Sequence, residues 1–334
     1  MTKRNILFAG GSGVVGRAAV GWFRKRHPDI PVLVGGRNMK AAAEIAAQAG
    51  NAEAVAIDLD KPRLGLDEGT AVAAVVMLAP DIGLRGLSYA QDLGVPYLSI
   101  GNGLIEVGAE MALFAYRATA SPIVLASHWS AGAPLFLALN AAKNFESIHT
   151  IRIGFLLDEK DPAGPSSYED MDRLHEASPA FLVFENGRRV WLAGDSAKGT
   201  ITTIDGRTLD ANAYSPFDII GLFAATGAPN IRFDLVTAES SSRRRGGEAA
   251  AEIVVEIEGK ANGLAKRSRS TLEFKHGQAS LTGLSAVLSL SAVLGLNGRS
   301  PAQPGLYLPE LLSDPGWFLD QLRDSGATIL EESD

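Results

Sequence analysis

Near the start of the chain runs Asn5-Ile6-Leu7-Phe8-Ala9-Gly10-Gly11-Ser12-Gly13-Val14-Val15-Gly16, and the architecture is read outward from it. Asn5–Ala9 is a short apolar run of strand character, and Val14–Arg26 has the make-up of a helix. Between them, Gly11, Gly13 and Gly16 stand in the spacing G-x-G-x-x-G. The bare pattern is weak; a strand before it and a helix after it turn it into a signal for dinucleotide phosphates. Gly11 permits the tight turn, Gly13 lets the backbone approach a pyrophosphate, and Gly16 lets helix and strand pack closely. The unpaired N–H groups at the helix start, in the stretch that includes Ser12, Val14 and Val15, then face the phosphates with the helix dipole behind them. The bland alternative is a glycine-rich loop that holds nothing.

The context continues for about 126 residues. Strands are expected at Pro31–Val34, Ala54–Ile57, Ala71–Ala79, Tyr97–Ile100 and Pro122–Ala126, with helices at Met39–Ala49, Gly86–Leu93 and Glu106–Thr119. Ala73-Ala74-Val75-Val76-Met77-Leu78-Ala79 does not alternate in polarity, as befits a strand covered on both faces in a parallel sheet. Alternation of strands and helices predicts a doubly wound α/β domain of the Rossmann kind. After about residue 145 the pattern changes to strands joined by turns: His149–Leu157, Ala180–Glu185, Arg188–Leu192, Ile231–Ala238, Ala249–Gly259 and Ser268–His276. Asn186-Gly187 between two of them is a hairpin signal. A second α+β domain with a mostly antiparallel sheet follows. Asp314-Pro315 opens a last helix with Trp317, Phe318, Leu319 and Leu322, whose apolar face is expected to dock on the first domain. The expected division is therefore residues 1–130 plus 300–334 for the nucleotide domain and 131–299 for the second. Ser240–Gly247 reads as a mobile loop.

The end of the second strand chooses the cofactor. An Asp or Glu there would bond a ribose 2′-hydroxyl. Here the run is Val34-Gly35-Gly36-Arg37-Asn38, with no carboxylate. Arg37 offers a planar fork suited to a 2′-phosphate, with room left by Gly35 and Gly36. NADP(H) is thus preferred to NAD(H); the alternative is an ordinary solvated arginine. Asp58, just past the third strand, is placed to accept from an adenine amino group or simply to start a loop. Ala79-Pro80 ends the fourth strand at the sheet edge where ligands lie, and small residues there leave space for the nicotinamide ribose.

Composition sets the limits. The 334 residues are 46% hydrophobic and 21% charged, enough for a sizeable core. The formal charge of −7 makes nucleic acid or an anionic membrane a poor default partner. There is no cysteine, which removes disulfides, thiolate nucleophiles and Cys-type metal sites. Leu284–Leu296, broken by Ser285, Ser289, Ser291 and Gly295, falls short of the ~20 residues of a bilayer span. No signal segment is evident at the start, so a cytoplasmic protein is expected. No cluster has metal-ligand spacing, and no metal is expected.

Taken together, Gly10–Gly16, Gly35-Gly36-Arg37-Asn38, Ala56-Ile57-Asp58-Leu59-Asp60, Val76-Met77-Leu78-Ala79-Pro80, Gly132-Ala133-Pro134 and Gly305-Leu306-Tyr307-Leu308-Pro309-Glu310 resemble the saccharopine dehydrogenase-like family of NAD(P)-dependent oxidoreductases. The likeness is good over residues 1–135 and 305–330 and vague in between. It implies a Rossmann domain carrying a second domain for substrate and dimer contacts. Some members reduce imines formed from amino acids or polyamines.

Hydride transfer is the cofactor's own chemistry, and the chain must position the ring and often supply a proton donor. Of five histidines, His27 precedes Pro28 in a surface turn, His276 sits in a turn, His149 starts a strand and His175 belongs to a charged segment. His128 follows the sixth strand beside Trp129, where the nicotinamide border is expected; it is the candidate acid/base or substrate ligand, against a merely packed imidazole. Tyr168, in the polar insertion Asp161–Asp172, is a second candidate donor, against a loop-capping tyrosine. Arg243-Arg244-Arg245 could clamp a substrate carboxylate or bind a phosphate; the bland reading is a charged mobile loop. The sequence thus points to an NADP(H)-dependent oxidoreductase acting on a small polar imine or carbonyl, or else to a non-catalytic NADP(H)-binding redox sensor on the same fold. Apolar antiparallel strands in the second domain suggest a homodimer.

Overall fold

The computed structural model describes residues 5–333 apart from Asn102, 162–163, 165–171 and His175. Tyr168 and His175 lie outside the described residues. The chain divides into two compact units, one comprising 1–127, 164–166 and 282–313, the other 128–163, 167–281 and 314–334.

The first unit alternates β1 (Asn5–Ala9), α1 (Val14–Arg26), β2 (Val32–Gly36), α2 (Met39–Ala49), β3 (Ala52–Ala56), β4 (Val72–Met77), α3 (Arg85–Leu93), β5 (Tyr97–Ser99), α4 (Val107–Tyr116) and β6 (Pro122–Leu125). Among the described residues seven parallel strands form one sheet, in the order β15-β6-β5-β4-β1-β2-β3, where β15 is Gly305–Tyr307. That is the doubly wound order, with its switch between β1 and β4. β2 is buried at every position, which is why its sequence is apolar without alternation. The helix α8 (Gly277–Val293) is buried at every residue from Leu281 onward, and its part from Thr282 belongs to this unit. Its serines are what a bilayer span would lack: Ser291 Oγ lies 2.8 Å from His27 Nε2, so His27 is packed into this unit rather than left in a surface turn. A Cβ on Gly283 would stand 2.7 Å from the amide nitrogen of Ala19, so glycine lets α8 lie directly on the α1 backbone.

The second unit begins with α5 (Ala133–Ala142), then β7 (Ser147–Asp158), β8 (Phe181–Glu185), β9 (Arg188–Leu192), β10 (Lys198–Thr202), β11 (Thr208–Ala213), α6 (Asp218–Thr226), β12 (Asn230–Ala238), α7 (Ser241–Arg244), β13 (Ala251–Ala261) and β14 (Leu264–Phe274). After the short α9 (Pro309–Leu312) of the first unit, α10 (Pro315–Arg323) and β16 (Ala327–Ser333) complete it. The sheet runs β10-β11-β12-β7-β13-β14-β16, with β8 on β12 and β9 on β8, and β12–β7 is its parallel pair. Asn186 and Gly187, with φ of 51° and 74°, form the primed turn that matches strand twist. Asn262 and Gly263 repeat the device, with φ of 51° and 74°, between β13 and β14.

Two sequence expectations change here. The boundaries at 130 and 300 move because residues 327–333 pair with β14 in full antiparallel register, which draws the C-terminus into the second unit, while residues 282–299 join the first. The last helix docks on α5, not on the nucleotide domain: Phe318 stacks on Phe136 with ring centroids 3.8 Å apart. Asp314 caps α10 by accepting from the amides of Gly316 and Trp317, as Asp-Pro suggested. Among the antiparallel strands, the centre of β13 is covered, while Trp191 on β9, Leu264 on β14 and Leu330 on β16 are exposed. Ile253, Val254 and Val255 of β13 are at most 5% exposed, so their apolar faces are already covered within the chain.

Phe318→Ala removes one ring of that stack. It is expected to cost about 3–5 kcal/mol in urea unfolding; a loss near zero would show that α10 does not hold α5 in place.

Candidate functional site

The site is built where β1, β2 and β4 end. Gly10 takes φ of +85°, open to glycine at little cost, so the left-handed residue of the turn is Gly10 rather than Gly11. The amides of Gly10 and Gly11 both donate to the carbonyl of Gly35, at 3.0 and 2.9 Å, which ties the turn to the end of β2. Gly11 is needed for space: a Cβ there would stand 2.8 Å from the carbonyl oxygen of Phe8. A Cβ on Gly16 would stand 2.1 Å from the carbonyl oxygen of Gly10, and no side chain fits. Gly13 caps α1 in extended backbone with no side-chain acceptor, so among the described residues no capping side chain takes up the amides of Val14, Val15 and Gly16 at the helix start. Gly13 and Val14 are exposed and Ser12 and Val15 half-buried, so these donors open outward.

The end of β2 differs from the sequence reading in its reason. Gly35 and Gly36 do not leave empty room. A Cβ on Gly35 would meet Ile57 Cγ1 at 2.6 Å, and one on Gly36 would meet Ser12 Oγ at 2.3 Å. The glycines let Ile57 and Ser12 close in, and Ser12 thereby joins the phosphate turn to the next loop. Arg37 is exposed and makes no ion pair or side-chain hydrogen bond among the described residues. Asn38 Oδ1 accepts from the amide of Ala41 at 3.1 Å and caps α2, which fixes the backbone on which Arg37 stands. Lys40, exposed on the first turn of α2, is a second cation that the motif reading missed.

Asp58 is occupied locally. Its Oδ1 accepts from the Asp60 amide at 3.0 Å and its Oδ2 pairs with Lys61 at 3.4 Å. The Asp60 amide and Lys61 hold its carboxyl below the usual range. These bonds hold Asp58 at the start of the loop that follows β3.

The backbone of Leu78 and Ala79 lies 3.2 Å from where a Cβ of Gly10 would be, so Ala79-Pro80 borders the turn directly. A Cβ on Gly101 would stand 2.9 Å from the Pro80 nitrogen, so the end of β5 closes on it too. Beneath this seat lies a network that sequence reading missed. Asp81, 1% exposed, accepts from the amides of Gly86 and Leu87 at 3.2 and 3.0 Å and so caps α3 from a distance. Tyr97 Oη donates to Asp81 Oδ2 at 3.1 Å and lies 3.4 Å from Glu110 Oε1, which accepts from Ser99 Oγ at 2.7 Å. Burial and the two carboxylates push the Tyr97 hydroxyl well above its ordinary pKa, so it stays protonated as donor.

The catalytic candidates fare differently. His128 is 4% exposed, with its ring edge-on to Phe217 at 5.2 Å. Burial lowers its pKa from 6.5 to about 3, so at neutral pH it is an uncharged imidazole with no acid proton to give. Of the acid/base and substrate-ligand roles read for His128, that of a charged imidazolium acid matches this pKa least, since a donor works best with its pKa near the working pH. The turn after it, Ser130-Ala131-Gly132, has φ of 46°, 51° and 109°, two non-glycine residues in the costly left-handed region. The arginine run is neither clamp nor mobile loop. Arg243 pairs with Asp158 at 3.0 Å and Arg244 with Asp205 at 2.7 Å, while Arg245 pairs with Glu273. Ser240, Ser241 and Ser242 are buried, and Ser240 caps α7. Three adjacent arginines point to three separate carboxylates, which sequence spacing alone cannot show.

Comparison with known structures adds the following. Saccharopine dehydrogenase (L-Glu forming) from Saccharomyces cerevisiae superposes with a TM-score of 0.70, over 99% of this chain and 100% of that one, at 12% identity. The chain has the saccharopine dehydrogenase fold. The resemblance read from residues 1–135 is met at this level, and at such identity the likeness is one of fold. A myo-inositol dehydrogenase from Corynebacterium glutamicum matches more loosely, with a TM-score of 0.48 and 14% identity over 99% of each chain. An oxidoreductase domain protein from Kribbella flavida matches with a TM-score of 0.49 and 13% identity, over 99% of this chain and 100% of that one. No protein-family model and no curated protein matches the sequence. Among the described residues no group of His, Asp or Glu could hold a metal ion, and no helix is long and apolar enough to cross a membrane.

The buried imidazole carries a pH signature. Between about 3 and 6.5 the folded chain binds fewer protons at His128 than the unfolded chain, so stability present above pH 6.5 is lost as pH falls toward 3. His128→Leu is expected to flatten that loss by roughly 1.4 kcal/mol per pH unit in chemical denaturation; an unchanged acid slope would place the ring in water.

Proposed function

We propose that this chain is an NADP(H)-dependent oxidoreductase acting on a small polar substrate, an amino-acid-derived imine or a carbonyl. The observation that carries the reading is the uncapped amide row of Val14–Gly16 beside an exposed guanidinium at Arg37. The amides and the positive end of α1 suit a diphosphate. Arg37, with Lys40 one helical step away, suits a terminal phosphate, and no carboxylate stands at the end of β2 to repel it. A Cβ at Gly16 would run into the backbone of Gly10 and Gly11, so glycine there lets α1 start close against the turn that would hold the diphosphate. The fold supports the same reading, since the yeast protein that shares it is named a dehydrogenase.

When bound, the cofactor supplies or accepts the hydride. The chain's part is positional. Gly10 to Gly16 hold the diphosphate, Arg37 and Lys40 select the 2′-phosphate, and Ala79-Pro80 seats the ribose of the nicotinamide over the Asp81–Tyr97–Glu110 network. Asp58 keeps its loop in shape. Tyr168 retains its role as candidate proton donor, and we read the protein as working in the cytoplasm. A second reading, a redox sensor that binds NADP(H) without turnover, draws on one observation: the buried His128 is an uncharged imidazole at neutral pH and so a weak proton donor.

Fluorescence titration with both reduced cofactors tests the first reading. NADPH is expected to bind more tightly than NADH, and Arg37→Ala to weaken NADPH by about tenfold or more while leaving NADH unchanged. Equal or tighter NADH binding in the parent chain overturns the NADP assignment. NADPH oxidation with a panel of amino acids plus keto acids or aldehydes separates the two classes: tight binding with no turnover selects the sensor.

A further inference from the structure

In the second unit the ladder between β7 and β13 breaks step near its end. Glu258 pairs with Thr150 and Gly259 with Ile148, so His149 has no opposite number on β13 and forms a bulge. The bulge is held in place: Asn230 Nδ2 donates to the His149 carbonyl at 2.9 Å, and His149 Nδ1 lies 3.0 Å from Thr150 Oγ1. Gly259 lets β13 close on β7 here, since a Cβ on it would stand 2.1 Å from the carbonyl oxygen of Ser147. Beside the bulge, β7, β13 and β14 bound a groove of about 430 Å³. Its polar lining is Ser147, His149, Glu258, Lys260, Lys266 and Arg267. That is three cations against one carboxylate, in a chain whose formal charge is −7. Glu146, the carboxylate just before β7, is taken up by the amides of Asn262 and Gly263.

We propose that this groove binds a small phosphate monoester. Glu258 is paired with Arg267 at 3.3 Å, so the charge left over in the lining is that of Lys260 and Lys266. Lys266 is steered, its Nζ standing 5.3 Å over the Phe145 ring and 3.4 Å from the Asn144 carbonyl. Lys260 is exposed and, among the described residues, makes no ion pair or side-chain hydrogen bond. Two ammonium groups match the charge of a monoester, about −1.5 to −2 at neutral pH. The Ser147 hydroxyl and the His149 imidazole add neutral hydrogen-bonding groups. Ile148 and Ala265 line the same groove and offer an apolar wall to an organic body. The volume lies within the roughly 300–1,000 Å³ of small-molecule sites, more than a bare phosphate fills. A nucleic acid or a lipid surface is instead held by many cations spread over a face, whereas this groove leaves two. None of its residues belongs to the Gly10–Gly16 turn or to the end of β2, so the proposal stands or falls apart from the cofactor reading.

Calorimetric titration of the full chain at low ionic strength tests it, with ribose 5-phosphate as the probe. Ribose 5-phosphate is expected to give saturable heat, inorganic phosphate to bind more weakly, and ribose to give none. Lys260→Gln combined with Lys266→Gln is expected to weaken ribose 5-phosphate about tenfold or more, with an unchanged circular dichroism spectrum and an unchanged NADPH titration. Glu258→Gln removes the one carboxylate of the lining and is expected to strengthen binding about threefold. Arg37→Ala is expected to leave ribose 5-phosphate binding as it was, and phosphatidylglycerol vesicles are expected not to retain the chain. Absence of heat with ribose 5-phosphate overturns the proposal. So does binding that the double lysine variant leaves intact, or binding lost on Arg37→Ala. Inorganic phosphate held as tightly as the ester, or retention on vesicles that the double lysine variant abolishes, overturns it as well.

Discussion

The first unit depends on one close approach of backbone to backbone, where the carbonyl of Gly10 faces Gly16. A Cβ at Gly16 would stand 2.1 Å from that oxygen, well inside any tolerated contact, so the helix can start there only on glycine. Everything else at this edge of the sheet follows. The turn returns its amides at Gly10 and Gly11 to the Gly35 carbonyl, and Ala79 abuts Gly10 from the other side. Three strand ends are thereby fixed around the point at which α1 presents uncapped donors. The geometry that excludes side chains also makes the donors available, because a capping side chain would have satisfied them.

Around that point, buried polar groups act as fixings for backbone and leave the exposed ones for ligands. Asp81 uses its oxygens on the amides of Gly86 and Leu87 and on the Tyr97 hydroxyl, so its burial is compensated and α3 starts in a set place. Asn38 does the same for α2. In the second unit Asp158 and Glu252 accept from the amides of Ser240 and Ser241, and each of three arginines meets its own carboxylate. Arg37 and Lys40 are exposed and, among the described residues, make no ion pair or side-chain hydrogen bond. A charge that stability does not need is the natural instrument of recognition.

The same logic, inverted, marks α4. Surface helices carry their charges outward because ions are costly to bury. Here the carboxylate of Glu110 is buried among hydroxyls and the apolar side chains face out. The fold needs the buried carboxylate to complete the Tyr97–Ser99 network.

Local chemistry determined a good part of the molecule from the sequence alone. The glycine turn, the strand and helix around it, the Asn186-Gly187 hairpin and the Asp314-Pro315 cap are each set within a few residues, by steric and hydrogen-bonding needs that no distant contact overrides. Asn262-Gly263 forms the same turn between β13 and β14, a signal the sequence reading passed over. Other features were settled only by tertiary structure, because they depend on which distant residue arrives. Gly35 and Gly36 looked like room and are filled by Ile57 and Ser12. The arginine run looked mobile until Asp158, Asp205 and Glu273 came to meet it. Residues 327–333 went to the second unit because β14 offered an open edge for pairing, and His128 lost its proton because apolar neighbours replaced water around it. Sequence states what a residue can do within its own turn; burial and partners across the fold decide what it is left free to do.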